Sequence, residues 1–382
     1  MRIAFVKQKY VPFGGGEGVL QRLMAECTAR GFEVHLITGS WLLEAAPVTV
    51  HRVRYPRLSR EARMRGFSRA AAREARRGRY DTVVSFDRTE FQDIWRAGEG
   101  VHLVWLQRRR LFEPWWKGVL TAASHAHRCI LRLERTAVEV SRLIVTNSKM
   151  VAADIARVYG RKAEAKVRIV YNGVDRCLFR PDDKKDQRRA FRCEMGLTEG
   201  DLLLAFVGSG FRRKGLRELI TVLRSLRRVF LVVAGRDPPG PWIRRARACG
   251  VAGRVRFVGP RQNPAGFYHG ADLLVLPTWF DAFPNSTLEA LACGTPVVTT
   301  RFSGSAEIIQ PGRNGFVVDR PDDSSALADA VHAGLELGRS GVSRQIAETV
   351  ADMTVEKCAE RFLAAIGEMA GTRSEVGSSC LR

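Results

Sequence analysis

The sequence lacks the cysteine and carboxylate patterns that mark several classes of metal and redox protein. None of its eight cysteines stands in a Cys-x-x-Cys pair, and no cysteine and histidine cluster has zinc spacing, so neither a redox motif nor a structural metal is indicated. Scattered thiols are typical of a reducing compartment. The paired carboxylate motif Asp-x-Asp, which could hold a divalent ion, is also missing. We therefore expect no metal and no cofactor.

Long apolar runs are missing too. No uninterrupted apolar stretch is long enough to span a bilayer. Residues 1–6 enter a strand pattern at once, without the apolar core of a signal peptide. We therefore expect a cytoplasmic protein, which could attach peripherally to the inner face of the cytoplasmic membrane.

Acidic residues are few relative to basic ones. The chain has 40 aspartates and glutamates against 62 lysines and arginines, which gives a formal net charge of +22 and a pI near 10.5. So basic a chain predicts a polyanionic partner: nucleic acid, an anionic membrane or a phosphorylated substrate. Charge alone does not choose among the three.

Strand and helix patterns alternate through all 382 residues, too many for one ordinary core. This predicts an α/β protein with two doubly wound parallel sheets, in domains 1–172 and 201–355, that face each other across a cleft. A polar run at 173–200 is predicted to link them. A helix in 356–382 is predicted to return to the first domain and to end in a frayed tail from Gly371. The predicted strands are 3–6, 34–37, 82–86, 143–146, 168–171, 202–207, 230–234, 255–258, 273–276, 296–299 and 316–318.

The most informative stretch is 281–289, which reads Asp-Ala-Phe-Pro-Asn-Ser-Thr-Leu-Glu. Ser286 and Glu289 indicate the first turn of a helix, whose unpaired N–H groups and positive dipole end favour a phosphate. Asp281 would then lie beyond the phosphates, where a carboxylate can read hydroxyls, and Glu289 would lie behind them beside a nucleoside. The stretch predicts a site for a sugar joined to a diphosphate.

The backbone donors of this site would come from the helix start at Asn285, Ser286 and Thr287. The alternative is that Ser286-x-x-Glu289 is only a capping box, in which the glutamate bonds back to its own backbone.

A second signal follows the first strand of the second domain. Residues 207–215 read Val-Gly-Ser-Gly-Phe-Arg-Arg-Lys-Gly and place Arg212, Arg213 and Lys214 where the chain turns into a helix. Cations there oppose the helix dipole, so we interpret them as an anion site. Solvated positive charge is the alternative in so basic a chain.

Glycines also follow the first strand of the chain, in the segment 12–18. Gly15 and Gly16 would let the backbone approach a ligand closely before a helix N-terminus, which favours an anion. The spacing is not the dinucleotide pattern Gly-x-Gly-x-x-Gly. A glycine-rich turn that only connects strand and helix is the alternative.

Two further polar candidates, Glu99 and His102, lie beside Gly98 and Gly100 in a loop that could line the cleft. A histidine there can act as a general base or orient a hydroxyl. Taken alone, each of the two is more often an ordinary surface or core-edge residue.

Tryptophans alternate with arginines in the segment 103–117. Indoles with cations suit an anionic bilayer surface and also single-stranded nucleic acid. The alternative is buried tryptophans beneath a solvated arginine face. Another arginine-rich segment, 57–79, is predicted to be a helix with small residues on one side and a solvated face on the other.

Together these segments resemble the family-4 retaining glycosyltransferases, which have the GT-B fold of two Rossmann-like domains. The resemblance covers most of the chain. Within the family, the segment 9–15, the 208–215 turn and the basic charge resemble the glucosyltransferases of the lipopolysaccharide core that act on inner-core heptose. The residues that carry the resemblance are 15–17, 171–175, 208–215, Val258-Gly259, Ala271-Asp272, Pro277 and the Asp281-x7-Glu289 pair.

The resemblance implies donor-side roles for four residues. Arg213 and Lys214 would neutralise the diphosphate, Asp281 would hold sugar hydroxyls and Glu289 would bind the ribose. The family usually has glutamate at the first position of its Glu-x7-Glu motif, where this chain has Asp281. Because the aspartate side chain is shorter, the resemblance leaves the identity of the donor sugar open.

On the acceptor side, the resemblance implies that Gly15 and Gly16 approach both donor and acceptor. Glu99 falls at or beside the acidic acceptor-side position of the core glucosyltransferases, and His102 falls near a histidine of other members.

The predicted activity is transfer of a hexose, expected to be glucose, from a UDP-sugar co-substrate. The predicted acceptor is an anionic phosphorylated glycolipid, the phosphorylated heptose of the lipopolysaccharide core. Retention at the anomeric carbon and independence of metal belong to this prediction. The alternatives are a sugar-nucleotide epimerase of the same fold and a basic nucleic-acid-binding protein. A nucleic-acid-binding function would leave the pair of Asp281 and Glu289 unexplained.

Overall fold

The computed structural model describes residues 1–9, 15–40, 47–116, 121, 124–181, 185–260 and 265–379. They form two compact units, one made of Met1–Asn172 with Val355–Arg382 and the other of Gly173–Thr354. Each unit contains a parallel sheet packed against helices. The predicted fold class, two Rossmann-like α/β domains, is confirmed.

The sheet of the first unit has the strand order β3-β2-β1-β4-β5-β6-β7 within the described residues, and all neighbours are parallel. Its strands are β1 (Arg2–Lys9), β2 (Glu33–Ser40), β3 (Val48–Arg52), β4 (Thr82–Ser85), β5 (Ile94–Arg96), β6 (Leu143–Thr146) and β7 (Val167–Ile169). Its helices are α1 (Gly15–Ala29), α2 (Arg60–Arg77), α3 (His102–Phe112), α4 (His125–Val140), α5 (Lys149–Tyr159) and α6 (Arg161–Glu164), with α14 (Val355–Ser379) added from the end of the chain.

Two of these strands, β3 and β5, were not predicted. β3 lies at the sheet edge, and most of its side chains are exposed or half-buried, so it lacks the apolar run of a buried strand. β5 has only three residues and ends in Arg96, which is buried because its Nη2 donates to Asn172 Oδ1 at 2.7 Å. A hydrogen-bonded arginine can therefore replace an apolar residue at this strand end.

Apolar cores lie on two sides of the first sheet. On one side α1 and α14 pack against strand residues such as Phe5 and Leu36. Phe362 of α14 stacks on Phe86, with ring centres 6.3 Å apart. The last helix of the chain is therefore part of the first unit's core.

The other core contains Phe67, Ala71 and Ala75 of α2. Ser59 caps this helix by accepting from the amide of Ala62 at 3.0 Å. The helix predicted in 57–79 is confirmed, with its small residues buried and most of its arginines exposed.

The sheet of the second unit has the order β10-β9-β8-β11-β12-β13 within the described residues and is also parallel. Its strands are β8 (Leu202–Val207), β9 (Val229–Ala234), β10 (Val255–Phe257), β11 (Leu273–Leu276), β12 (Val297–Thr300) and β13 (Gly315–Val318). Its helices are α7 (Lys185–Glu194), α8 (Leu216–Val222), α9 (Gly240–Ala248), α10 (Ala265–Gly270), α11 (Asn285–Ala292), α12 (Ser324–Arg339) and α13 (Ser343–Glu348), with short 3-10 helices at Ala252–Arg254 and Gly304–Ile308.

Adjacent strands bring the two main motifs of this unit together. β8 pairs with β11 in parallel, with Leu204 opposite Leu273. The turn that follows β8 and the loop that follows β11 therefore leave the same edge of the sheet side by side.

The segment 173–200, predicted as a linker, lies within the second unit and contains α7. Arg192 of this helix is buried, donates to the carbonyl of Gly270 at 2.9 Å and lies 3.4 Å from a carboxylate oxygen of Asp272. These contacts anchor the segment to the rest of the second unit. Its polar composition alone did not indicate that it makes such contacts.

The helix predicted in 356–382 is present as α14, which begins at Val355 and continues to Ser379. It therefore includes residues 371–379 of the tail that was predicted to be frayed.

Candidate active site

Asp281 stands at the centre of the second unit's candidate site. Its amide donates to the carbonyl of Phe302 at 3.1 Å, and its own carbonyl accepts from Gly304 at 2.9 Å. These backbone bonds fix the loop after β11 to the end of β12, so the carboxylate has a defined position.

Two cations converge on one oxygen of that carboxylate. Asp281 Oδ2 lies 2.7 Å from Arg213 Nη1 and 2.8 Å from Lys214 Nζ. Arg213 Nη1 also donates to the carbonyl of Phe280 at 2.7 Å. We expected the carboxylate and the cations to act separately, on the sugar and the diphosphate, and the structure instead joins them in one cluster.

The cluster shifts the pKa values of its members. Burial alone would raise the pKa of Asp281, but Lys214 and Arg213 lower it to about 2. Burial lowers the pKa of Lys214, helped by Arg213 and opposed by Asp281. The short contacts to Asp281 favour the charged lysine. One carboxylate against two cations leaves an excess positive charge that suits an anion.

Glu289 lies in α11 but does not cap it. The residue before the helix, Pro284, makes no side-chain cap, and the Glu289 carboxylate accepts from the hydroxyl of Tyr268 at 2.6 Å. The capping-box alternative for Ser286 and Glu289 is therefore wrong. Burial raises the pKa of Glu289, with Tyr268 and Lys214 acting in the opposite direction.

The helix start predicted at residues 285–287 is present, because α11 begins at Asn285. Ser286 and Thr287 are buried, and the Thr287 hydroxyl accepts from Ser305 at 3.1 Å. A role of Asn285, Ser286 and Thr287 in binding a diphosphate stays a prediction.

The turn after β8 is shaped by a carboxylate that the sequence did not reveal. Asp237 accepts from the amides of Gly210 and Phe211, both at 2.8 Å. Gly215 then adopts φ +83°, and a Cβ there would lie 1.9 Å from the carbonyl oxygen of Pro277. The turn is therefore tightly packed, and two of its backbone donors already have an acceptor.

The cations of this turn do not lie within the helix that follows. α8 begins at Leu216, after Arg213 and Lys214, and their side chains reach Asp281 instead. The Arg212 guanidinium lies over the ring of Trp279, at 5.7 Å. Across the described ranges, no group of three or more histidine, cysteine, aspartate or glutamate side chains is arranged to hold a metal ion.

In the first unit, Gly15 and Gly16 are the first residues of α1, and residues 12–14 of the predicted glycine turn lie outside the described residues. Glu17 follows, 3.9 Å from Lys7 Nζ, which also lies 3.3 Å from Asp87. The approach of Gly15 and Gly16 to a ligand stays a prediction.

Glu99 and His102 lie in one polar network. Glu99 is 2.7 Å from Arg88 Nη1, and His102 Nε2 is 3.0 Å from His127 Nδ1. Burial, together with Arg88 and His127, lowers the pKa of His102 to about 3. A histidine that is neutral at pH 7 and this weakly basic suits the orientation of a hydroxyl better than proton abstraction.

The tryptophans of segment 103–117 are largely exposed. Trp115 is 81% and Trp116 48% exposed, beside Leu111 at 56%. Arg109 lies over the half-buried Trp105 ring at 5.7 Å. The alternative of buried tryptophans is therefore wrong for Trp115 and Trp116. No helix in the part of the chain that the structure describes is both long and apolar enough to cross a membrane.

Two family models match the chain, one in each half. Residues 13–176 match the model Glycosyltransferase Family 4, and residues 201–336 match Glycosyl transferases group 1. The second match includes the Asp281 cluster, and the first includes the loop of Glu99 and His102.

Curated relatives are glycosyltransferases. The chain is 27% identical over 345 residues to the lipopolysaccharide glucosyltransferase WaaG of Escherichia coli, covering 88% of this chain and 90% of WaaG. It is 34% identical over 231 residues to D-inositol 3-phosphate glycosyltransferase 2 of Catenulispora acidiphila, covering 55% of this chain and 53% of that relative. The second match therefore spans about half the relative's length.

Solved structures establish the fold. The WaaG crystal structure matches with a TM-score of 0.81 at 24% identity, covering 94% of this chain and 98% of that one. Anabaena HepE in complex with UDP-glucose matches with a TM-score of 0.73 at 17% identity, and the match covers 96% of this chain and 100% of the HepE chain. The chain therefore belongs to the glycosyltransferases whose two domains these family models describe, and it has the GT-B fold of WaaG.

Proposed function

We propose that this glycosyltransferase transfers glucose from UDP-glucose to a phosphorylated heptose of the lipopolysaccharide core, with retention at the anomeric carbon. The observation that carries the proposal is the convergence of Arg213 and Lys214 on Asp281, in the loop that leads to α11. The similarity to the lipopolysaccharide glucosyltransferase WaaG supports lipopolysaccharide as the acceptor, and the UDP-glucose complex of HepE supports the donor. The phosphorylated heptose is what the resemblance of the sequence implies.

In the proposed reaction, the bond between the anomeric carbon and the phosphate oxygen breaks, and the acceptor hydroxyl forms the new bond while losing its proton. UDP leaves with the electron pair, and its leaving phosphate oxygen takes the proton of the acceptor hydroxyl. Arg213, Lys214 and the amides at the start of α11 stabilise the growing negative charge without a metal ion. Preorganised charges of this kind act mainly on the transition state, so they affect turnover most.

The carboxylates and the acceptor-side residues have separate proposed roles. Asp281 Oδ2 holds the two cations, and Oδ1, which takes part in neither bond, accepts from a sugar hydroxyl. Glu289, oriented by Tyr268, accepts from the ribose hydroxyls. On the first unit, Glu99 and His102 orient the acceptor, and Gly15 and Gly16 let it approach the chain.

A thermal-shift panel of nucleotide sugars tests the donor. We expect UDP-glucose and UDP to raise the melting temperature, and ADP-glucose and GDP-mannose to leave it unchanged. A ligand at 100 times its Kd stabilises the folded state by about 2.7 kcal/mol. UDP-galactose tests whether Asp281 distinguishes the sugar. A shift with none of the UDP compounds would end the proposal.

Product analysis tests the acceptor and the stereochemistry. Incubation with UDP-glucose and core glycolipid should give an α-linked product by NMR, and inositol 3-phosphate should stay unmodified. Transfer to inositol 3-phosphate alone would favour the activity named for the second relative. A new sugar nucleotide formed from donor alone would indicate an epimerase, and tight filter binding with a steep salt slope would indicate nucleic acid.

We also propose that the exposed tryptophans and arginines of segment 103–117 bind an anionic membrane surface. The protein should sediment with anionic vesicles at low salt and detach as salt rises. Replacing Trp115 and Trp116 with serine should reduce the sedimented fraction. Leu58→Ser, which removes an apolar residue that is 96% exposed elsewhere, is the matched control. A wild type that stays in the supernatant at low salt contradicts this proposal.

A further inference from the structure

We propose that Glu134 is a positioning residue for loop 97–102, acting through Arg88 and through the first amide of α3. This inference rests on the proposed function, in which Glu99 and His102 of this loop orient the acceptor.

Arg88 contacts both a side chain and the backbone of the loop. The Glu99 side chain is 70% exposed, and Arg88 Nη1 holds its carboxylate at 2.7 Å. Arg88 Nη2 donates to the carbonyl of Gly100 at 3.1 Å. The Arg88 side chain is only 15% exposed and lies over the ring of Trp95, at 5.9 Å. One arginine therefore holds both a side chain and the backbone of the loop.

Glu134 in turn holds Arg88. Its carboxylate is fully buried in α4 and accepts from Arg88 Nε at 2.9 Å and from the Tyr159 hydroxyl at 2.8 Å. Burial lowers the pKa of Arg88, but the carboxylates of Glu134 and Glu99 raise it by more. Arg88 is therefore a permanent cation between the two carboxylates.

The same carboxylate holds the other end of the loop. Both Glu134 oxygens lie 3.0 Å from the backbone nitrogen of His102, the first residue of α3. The preceding Val101 has no side-chain acceptor, so Glu134 takes the role of the N-cap from another helix. A negative charge at this helix end is favourable.

α4 also fixes the His102 ring. His127 lies seven residues before Glu134, on the same side of the helix, and bonds His102 Nε2 at 3.0 Å. α4 thus sets both the backbone and the imidazole of His102. A buried ion pair alone adds little net stability compared with packed apolar residues. The arrangement instead fixes the conformation of the loop. Glu99 and His102 need fixed positions if they are to orient the acceptor.

Glu134→Gln tests the proposal. Three donors converge on Glu134, and an amide offers them only one oxygen, so Arg88 and the loop should shift. We expect kcat to fall by about 10- to 100-fold. The KM for UDP-glucose should change little, because the proposed donor residues belong to the second unit. Tyr159→Phe is the matched control, since it removes one bond to the same carboxylate and leaves the contacts to Arg88 and His102 intact.

Hydrogen exchange gives a readout that does not depend on activity. In Glu134→Gln the amides of residues 98–102 should exchange about tenfold faster, while those of β5 and α4 stay protected. Arg88→Lys keeps the charge but cannot bridge Glu134 and Glu99, so it should lower kcat in the same way. It is the variant to test if Glu134→Gln does not fold.

Three results would overturn the proposal: turnover of Glu134→Gln close to wild type, a loss no larger than that of Tyr159→Phe, or unchanged exchange in the loop. If the wild type transfers no sugar, the proposed function fails, and exchange still decides whether Glu134 orders the loop.

Discussion

Arg213→Ala should lower kcat by about 100-fold or more, because removing one preorganised donor from a developing negative charge costs on the order of 3 kcal/mol of barrier. The Arg213 side chain is 32% exposed and shares Asp281 with Lys214. Its loss leaves Asp281 paired, so the unfolding free energy should fall by only about 1 kcal/mol. Steady-state kinetics with UDP-glucose, together with urea unfolding, separate the two effects.

Lys214→Met should give a similar loss of turnover with a larger loss of stability. The lysine side chain is only 8% exposed, and methionine keeps most of its apolar stem while removing the charge next to Asp281. A buried pair costs about 3–5 kcal/mol to break when one charge is left without a partner. Because Arg213 still pairs with Asp281 in this variant, the loss of stability should lie below that range. Arg217→Ala, which removes an exposed arginine from α8, is the control and should behave as wild type. Near-normal turnover in both Arg213→Ala and Lys214→Met would remove these cations from the mechanism.

Much of the fold could be predicted because buried parallel strands are apolar throughout. β8, β11 and β6 were predicted with the bounds that the structure shows. β3 was missed because an edge strand needs fewer apolar residues, and β5 because three residues carry too little pattern. Segment 173–200 was misjudged because the partner of Arg192, Asp272, lies 80 residues further along the chain.

In the candidate site too, local sequence patterns could be predicted, and contacts between distant residues could not. Asp281 and Glu289 could be found because a loop and the helix after it are contiguous in the sequence. Asp237 and Glu134 could not, since each acts on backbone amides 26 to 32 residues away. Only the order of strands and the packing of helices bring such pairs together, and neither can be read from spacing.

Asp281→Asn should destabilise the protein by about 3–5 kcal/mol, because it leaves the buried Lys214 without its carboxylate partner. The folded-state pKa of Asp281, about 2, lies below its unfolded value, so its stabilising effect is present above about pH 4 and is lost as pH falls through 2. The stability difference between wild type and Asp281→Asn should therefore shrink over that range, as measured by urea unfolding at each pH.

Glu289→Gln makes the same chemical change with a different expected result. Burial already raises the pKa of Glu289, and the Tyr268 hydroxyl can still donate to the amide oxygen. The loss of stability should therefore be smaller than in Asp281→Asn, because no buried cation loses its partner, while loss of the charged acceptor should weaken UDP-glucose binding by about 1.5–3 kcal/mol. Calorimetry with UDP-glucose measures the second effect. Equal stability losses in Asp281→Asn and Glu289→Gln would contradict this account. Of the two carboxylates, only that of Asp281 forms an ion pair with the buried Lys214.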